Sequence, residues 1–281
     1  AAPSAALRWR ARACEVGADG TCAATGRSLL VKDVSDADRA ELCSVIPRLI
    51  GSRAKGAEFR AFADYVRERG PFEYVIDGAN IGFYGQGKAV NDGAKAAAAA
   101  AEEADLPPPT KAALHEAKHA RFLYPQLDAL LRAVCARSQR VLLVLHVSHT
   151  KEEEMDPIAR ELVLRWRQAG VLFTSPAGHN DDWYWLYAAM ASGRGCRVVS
   201  NDEMRDHHFG MLAPRSFLRW KERHVVHFAF PRRANGSPEL AFPPPFSSVA
   251  QPHGEGRWLL PCADSPEWLL VEPADEGGAA I

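Results

Sequence analysis

The sequence contains no apolar run of the roughly 20 residues that a membrane-spanning helix needs. It also has no excess of basic residues, since 34 Lys and Arg stand against 35 Asp and Glu, a formal net charge of -1. Any contact with nucleic acid would therefore depend on local basic patches and not on overall charge. The six cysteines show no regular disulfide spacing, so we expect a reducing compartment.

Two common kinds of active site are missing as well. Gly82, Gly85 and Gly87 resemble a phosphate-binding loop, but the Gly-Lys-Ser/Thr that would complete such a loop does not follow. No arrangement of Ser, His and Asp, or of Cys and His, indicates a nucleophilic triad. The chemistry of this chain is therefore sought among its acidic residues.

Strand-like and helix-like segments alternate in the middle of the chain. The predicted strands are 72–76, 141–146, 171–174 and 196–200, and the predicted helices between them are 123–137, 157–168 and 181–192. The continuous apolar run 141–146 is typical of a strand that is covered on both faces. The alternation predicts an α/β fold with a doubly wound, mostly parallel sheet, whose ligands bind beyond the carboxyl ends of the strands.

The composition changes on both sides of this middle region. We predict an α/β domain over residues 71–213, with a low-complexity, alanine-rich insertion at 92–112. Residues 1–70 combine an irregular start with two helix-like segments, and residues 214–281 contain short strands split by proline-rich turns. We expect the two chain ends to form one small β-rich domain.

Acidic residues follow two of the predicted strands and open one of the predicted helices. Asp77 follows strand 72–76, Asp202 follows strand 196–200, and Asp181 and Asp182 begin helix 181–192. Each position has an ordinary explanation as a turn or helix-capping residue. However, two adjacent carboxylates repel each other, and three such places in one predicted sheet favour a shared metal ion. Carboxylate oxygens suit Mg²⁺ or Mn²⁺, so these four are the candidate metal-binding and catalytic residues, and Asp206, one helical turn after Asp202, is a further candidate ligand.

Basic side chains lie close to, and downstream of, the last acidic motif. The candidate substrate or phosphate contacts are Arg205, His207, His208, Arg219, Lys221 and Arg223. Side chains of this kind contact phosphates in nucleic-acid complexes. A solvated basic face is the alternative that the sequence leaves open.

Long motifs in this chain resemble one known family. Segments 77–82, 180–189 and 201–207, which contain Asp-Gly-Ala-Asn, Asn-Asp-Asp-Trp-Tyr-Trp and Asn-Asp-Glu-Met-Arg-Asp-His, resemble the nuclease domain of proteinaceous (protein-only) RNase P. Segments 219–224 and 243–247 are also similar to downstream parts of that family. The resemblance runs from about Gly20 to Trp268.

This resemblance implies an NYN-type nuclease of the PIN-like group that removes the 5′ leader of precursor tRNA. It assigns metal binding and catalysis to Asp77, Asp181, Asp182 and Asp202, with Asp206 as a fifth ligand, and one or two Mg²⁺ ions that activate the attacking water. Folded RNA would be recognised by its shape and backbone. The resemblance also implies a mitochondrial, chloroplast or nuclear compartment, and we expect a monomer.

The sequence departs from the family pattern at a structural zinc site, which normally has about four ligands. Thr25 and Leu259 stand where the family has a cysteine and a histidine ligand. One alternative is that apolar packing joins the chain ends. The other is a rearranged zinc site made of Cys14, Cys22, His253 and Cys262.

A second departure concerns the family's pentatricopeptide repeats, which grip the tRNA elbow. No repeated helical hairpin precedes Ser35, so we interpret the chain as the catalytic part alone. A non-catalytic RNA-binding module with the same fold is the alternative function. A haloacid-dehalogenase-type phosphatase is disfavoured, because that chemistry needs an Asp where this chain has Ala79.

Overall fold

The computed structural model describes residues 8–50, 53–85, 122–204, 214–231, 237–263 and 265–274. The chain divides into two compact units. The smaller unit comprises 1–34, 219–223 and 243–281, and the larger comprises 35–218 and 224–242. The division near the start of the chain therefore falls at residue 34 and not at residue 70, because the helices between these positions belong to the larger unit. The predicted insertion at 92–112 lies outside the described residues.

The strands of the described residues are numbered in chain order. They are β1 (Trp9–Cys14), β2 (Tyr74–Asp77), β3 (Val141–His146), β4 (Leu172–Ser175), β5 (Arg197–Val199), β6 (Val225–Ala229), β7 (Glu239–Ala241), β8 (Gln251–Pro252), β9 (Trp258–Pro261) and β10 (Trp268–Pro273). The helices are α1 (Asp36–Leu49), α2 (Arg53–Arg69), α3 (Gly78–Gly82), α4 (Tyr124–Cys135), α5 (Pro157–Gln168), α6 (Asp181–Ala191) and α7 (Pro214–His224). Short 3₁₀ turns occupy Val147–His149 and Glu152–Glu154.

The larger unit is built on a six-stranded sheet with the order β4-β3-β2-β5-β6-β7. Strands β2 to β6 pair in parallel, and β7 is antiparallel to β6. From β2 the chain proceeds through β3 to β4 on one side, and then crosses to β5 on the other side of β2. The order of strands therefore reverses between β2 and β5, which is where ligands of such sheets bind. The predicted doubly wound, mostly parallel α/β sheet is confirmed.

Burial explains why these segments form the centre of the sheet. The first five residues of β3 are buried, as its uninterrupted apolar sequence predicts. Helix α6 packs across β2, β3 and β5, and its Tyr184 and Trp185 are fully buried. Because this helix is apolar on almost every side, its position against the sheet is fixed by packing, and so is the position of its first turn.

The smaller unit contains a four-stranded antiparallel sheet with the order β1-β10-β9-β8. Strand β1, from the start of the chain, pairs with β10 from Trp9↔Pro273 to Cys14↔Trp268. Behind the sheet lies an apolar cluster of Cys14, Cys22, Leu29, Leu259, Trp268 and Leu270. The small β-rich domain expected from the two chain ends is therefore present. In the described ranges, no helix has the length and apolarity to span a membrane.

Candidate active site

Asp77 lies at the carboxyl end of β2, where it also caps the short helix α3. It is only 3% exposed. One carboxylate oxygen accepts the backbone N–H of Asn80 at 3.1 Å, and the other accepts the hydroxyl of Ser200 at 2.8 Å. Burial raises the pKa of Asp77 well above its ordinary value, and the charges of Asp182 and Asp181 raise it further. The next position, Gly78, requires a glycine, because a Cβ there would lie only 2.7 Å from the carbonyl oxygen of Val144 on β3.

Ser200 joins Asp77 to Asp202 across the point where the strand order reverses. This residue is fully buried at the end of β5. Its hydroxyl donates to Asp77 and also accepts the backbone N–H of Asp202 at 3.0 Å. Asp202 in turn accepts the N–H of Met204 at 2.8 Å. Two of the predicted site residues are thus positioned by one hydroxyl that the sequence had not singled out.

Asn80 and Asn201 form a second connection between the same two strand ends. The side-chain oxygen of Asn80 accepts the backbone N–H of Asn201 at 2.9 Å. The side chain of Asn201 then pairs with both backbone groups of Phe228 on β6, at 2.8 and 3.0 Å. The loop that carries Asp202 is therefore fixed on both sides.

Asp181 and Asp182 occupy the first turn of α6. The side chain of Asn180 caps the helix by accepting the N–H of Asp182 at 3.0 Å. Trp185 donates its indole N–H to the Asp182 carboxylate at 3.2 Å. Burial, followed by the charges of Asp181 and Asp202, raises the pKa of Asp182 to about 6, against the opposing hydrogen bonds from Asn180 and Trp185.

The four acidic residues therefore lie close enough for their charges to interact, which places them in one electrostatic environment. The charges of Asp182 and Asp181 raise the pKa of Asp77, and the charges of Asp181 and Asp202 raise the pKa of Asp182. Concentrated negative charge of this kind is relieved by a bound cation, and hard carboxylate oxygens suit Mg²⁺.

A protein cage for the metal is not present: no three His, Cys, Asp or Glu side chains among the described residues are arranged to hold an ion. Mg²⁺ is usually bound by one or two carboxylates together with waters and substrate phosphates, and does not require such a cage. The donors at the end of the sheet fit that mode of binding.

The predicted basic contacts have different outcomes. Arg205, Asp206, His207 and His208 lie outside the described residues. On α7, Arg219 is exposed and Lys221 is half-buried. Arg223 is buried, and its guanidinium donates to the carbonyl oxygens of Pro244 and Phe246, the latter at 3.1 Å. Arg223 therefore holds the smaller unit together and is not the phosphate contact that the charge pattern had indicated.

The residues considered for zinc are arranged differently from a closed zinc site. The sulfur atoms of Cys14 and Cys22 are 3.9 Å apart, and the hydroxyl of Thr25 lies 2.6 Å from Nε2 of His253. Burial raises the pKa of Cys22, but hydrogen bonds, first of all from Thr25, outweigh it and lower that pKa overall. Leu259 is fully buried in the apolar cluster. Within the described part of the chain these side chains do not form a metal-binding group, so the donor set does not fit zinc.

Comparison with known proteins identifies the family. The family described as "Protein-only RNase P" matches residues 111–271. Proteinaceous RNase P 3 of Arabidopsis thaliana is 32% identical over 264 residues, which are 90% of this chain and 40% of that protein. The chloroplastic/mitochondrial proteinaceous RNase P 1 of the same plant is 30% identical, over 94% of this chain and 42% of that protein.

A solved structure agrees with these sequence matches. The crystal structure of the nuclear proteinaceous RNase P 2 of A. thaliana superposes with a TM-score of 0.70 at 30% identity, and covers 95% of this chain and 50% of that one. The chain thus spans about two fifths of the length of the curated relatives named here. The matched segment includes α6, β5 and the residues that follow them, and from this combination of fold, site and sequence we conclude that the chain belongs to the protein-only RNase P family.

Proposed function

We propose that the chain is the catalytic part of a Mg²⁺-dependent endoribonuclease that removes the 5′ leader of precursor tRNA. The observation that carries this proposal is the placement of four acidic residues where the strand order reverses: Asp77 ends β2, Asp202 follows β5, and Asp181 and Asp182 open α6. Membership of the protein-only RNase P family supports the choice of substrate.

Each carboxylate has a defined task in this proposal. Asp77, Asp181, Asp182 and Asp202 would hold one or two Mg²⁺ or Mn²⁺ ions. When bound, such an ion supplies an activated water and neutralises charge on the phosphoryl oxygens.

The neighbouring donors orient these carboxylates. Asn80 and Ser200 each occupy one oxygen of Asp77, and Trp185 occupies one oxygen of Asp182. Because these donors fix the direction in which the carboxylates face, little reorganisation is needed when the phosphate arrives.

Recognition of the RNA would depend on shape and backbone, since the chain has no general excess of positive charge. Among the described basic residues of the predicted set, Arg219 is exposed, and an exposed guanidinium can contact an RNA phosphate. The names of the relatives, one chloroplastic/mitochondrial and one nuclear, are consistent with an organellar or nuclear compartment for this protein.

The proposal is tested with a 5′-end-labelled precursor tRNA, incubated with the chain in Mg²⁺ or in EDTA. We expect cleavage at the mature 5′ end in Mg²⁺ only, and loss of cleavage in the Asp181→Asn, Asp182→Asn double variant. The matched control is Asp64→Asn, which removes an exposed carboxylate on α2 and should leave cleavage unchanged.

Two results would count against this function. Mg²⁺-dependent binding of the RNA without cleavage, also after a pentatricopeptide-repeat array is attached, would favour a non-catalytic RNA-binding module. Equal cleavage by the double variant would show that the acidic site is not where the reaction takes place.

A further inference from the structure

The loop before α6 is joined to helix α2 by a buried histidine. The side chain of His179 is 1% exposed. Its Nε2 lies 2.6 Å from a carboxylate oxygen of Glu58 on α2, and its Nδ1 lies 2.7 Å from the hydroxyl of Tyr184 on α6. Both ring nitrogens are thus engaged, one on each of the two helices. This fixes the imidazole two residues before Asp181.

A second contact from α2 reaches the residue before His179. The ammonium group of Lys55 donates a hydrogen bond to the carbonyl oxygen of Gly178 at 2.5 Å. Lys55 and Glu58 are three residues apart and so lie on the same face of α2. Gly178 has a φ of +76°, a backbone conformation that other residues adopt only with strain. The chain therefore turns sharply at the point where α2 holds it.

Packing between the two helices makes this contact rigid. The ring of Phe59 lies 5.2 Å from that of Tyr184, and the ring of Phe62 lies 4.8 Å from it, measured between centroids. Phe59, Phe62 and Tyr184 are almost completely buried. Because α2 cannot shift against α6 without disturbing this cluster, Glu58 and Lys55 are held at a fixed place relative to the first turn of α6.

From this geometry we propose that Glu58 and His179, assisted by Lys55, are positioning residues that set where Asp181 and Asp182 lie and thereby set the affinity of the site for its metal ion. The inference rests on the proposed function. Its physical reason is that two adjacent carboxylates repel each other, so the loop that leads into them would relax outward if it were not restrained. Residues that orient metal ligands through hydrogen bonds commonly matter for metal affinity.

The test uses three substitutions on α2. Glu58→Ala removes the acceptor of the His179 Nε2–H, and Glu58→Gln keeps an acceptor oxygen at the same distance along the side chain. Glu68→Ala is the matched control, because it removes an exposed glutamate from the same helix. Mn²⁺ affinity is measured by electron paramagnetic resonance on the whole chain, and kcat and KM are measured with precursor tRNA.

We expect Glu58→Ala to weaken Mn²⁺ binding by about 10-fold and to lower kcat at limiting Mg²⁺, with KM for the RNA unchanged. Glu58→Gln should restore most of the affinity, and Glu68→Ala should behave as the unaltered protein. If the role of Glu58 were merely structural, Glu58→Ala would lower the melting temperature, and the Mn²⁺ affinity of its folded fraction would stay unchanged.

Three outcomes would overturn the inference. Glu58→Ala could bind Mn²⁺ as tightly as the unaltered chain, which would leave the proposed function intact and remove only the positioning role. Glu58→Gln could be as defective as Glu58→Ala while both remain folded, which would rule out the hydrogen bond as the cause. If the unaltered chain bound no Mn²⁺ at all, the proposed function would fail first, and the inference with it.

Discussion

Replacing Asp182 by asparagine should stabilise the metal-free protein at neutral and alkaline pH. The pKa of Asp182 is raised from 3.8 to about 6, chiefly because it is buried and secondly because of the charge of Asp181. A carboxyl group whose pKa is higher in the folded state favours folding below its unfolded pKa, and that contribution is lost as pH rises through the folded pKa. Above pH 6 the ionised Asp182 therefore opposes folding.

The size of the effect follows from the pKa. A rise from 3.8 to about 6, at about 1.36 kcal/mol for each pKa unit, corresponds to about 3 kcal/mol. This is an upper value, because part of the repulsion passes to the neighbouring carboxylates. Asparagine keeps an oxygen that can accept the Trp185 indole N–H, so that hydrogen bond is not lost. At pH 5 the expected gain falls to roughly half.

The measurement is urea denaturation in EDTA at pH 8 and at pH 5, with Asp64→Asn as the control for removal of an exposed carboxylate. We expect the free energy of unfolding to rise in Asp182→Asn at pH 8, to rise less at pH 5, and to change by under about 0.5 kcal/mol in the control. Addition of Mg²⁺ should then stabilise the unaltered protein more than the variant. A variant that is no more stable than the unaltered protein at pH 8, or equally stabilised at both pH values, would refute the reasoning.

Two further substitutions test other parts of the structure. Ser200→Ala removes the hydroxyl that connects Asp77 to the Asp202 loop, and we expect single-turnover cleavage to slow by about 10- to 100-fold; an unchanged rate would contradict a positioning role. Thr25→Cys adds a thiol beside Cys22 and His253, and we expect the variant to bind Co²⁺ with the absorption of a thiolate-coordinated ion, which the unaltered chain lacks. Equal Co²⁺ spectra from the two proteins would show that Thr25 is not what keeps this cluster from forming a zinc site.

The fold and the positions of the acidic residues could be predicted because both depend on local sequence patterns. A run such as Val141–Leu145 has few alternatives to a strand buried on both faces. The alternation of such runs with helices predicts a parallel sheet, and strands that run in parallel have their carboxyl ends at the same edge. Asp77 at the end of β2 and Asp202 shortly after β5 were therefore expected to lie at the same edge of the sheet.

The supporting residues could not be predicted, because their partners are far away in sequence. Ser200 bonds to a residue 123 positions away, and His179 bonds to one 121 positions away. A serine after a strand or a histidine in a loop carries no signal of this kind by itself. For Arg223 the sequence pattern was misleading in another way. Its basic neighbours indicated a phosphate-contacting surface, whereas the side chain is buried and donates to the backbone carbonyls of Pro244 and Phe246.

The charge balance of the site explains why so many hydrogen bonds surround so few carboxylates. Asp77 is almost completely buried, and both of its oxygens accept hydrogen bonds that favour the ionised form. Burial and the neighbouring charges outweigh those two hydrogen bonds, so the pKa of Asp77 remains raised. A site built only for stability would carry fewer acids here, since removing one relieves repulsion without breaking the sheet. The retained repulsion is free energy that a divalent cation releases when it binds. The same geometry that destabilises the metal-free protein would therefore strengthen metal binding, and Asp182→Asn should move the two quantities in opposite directions.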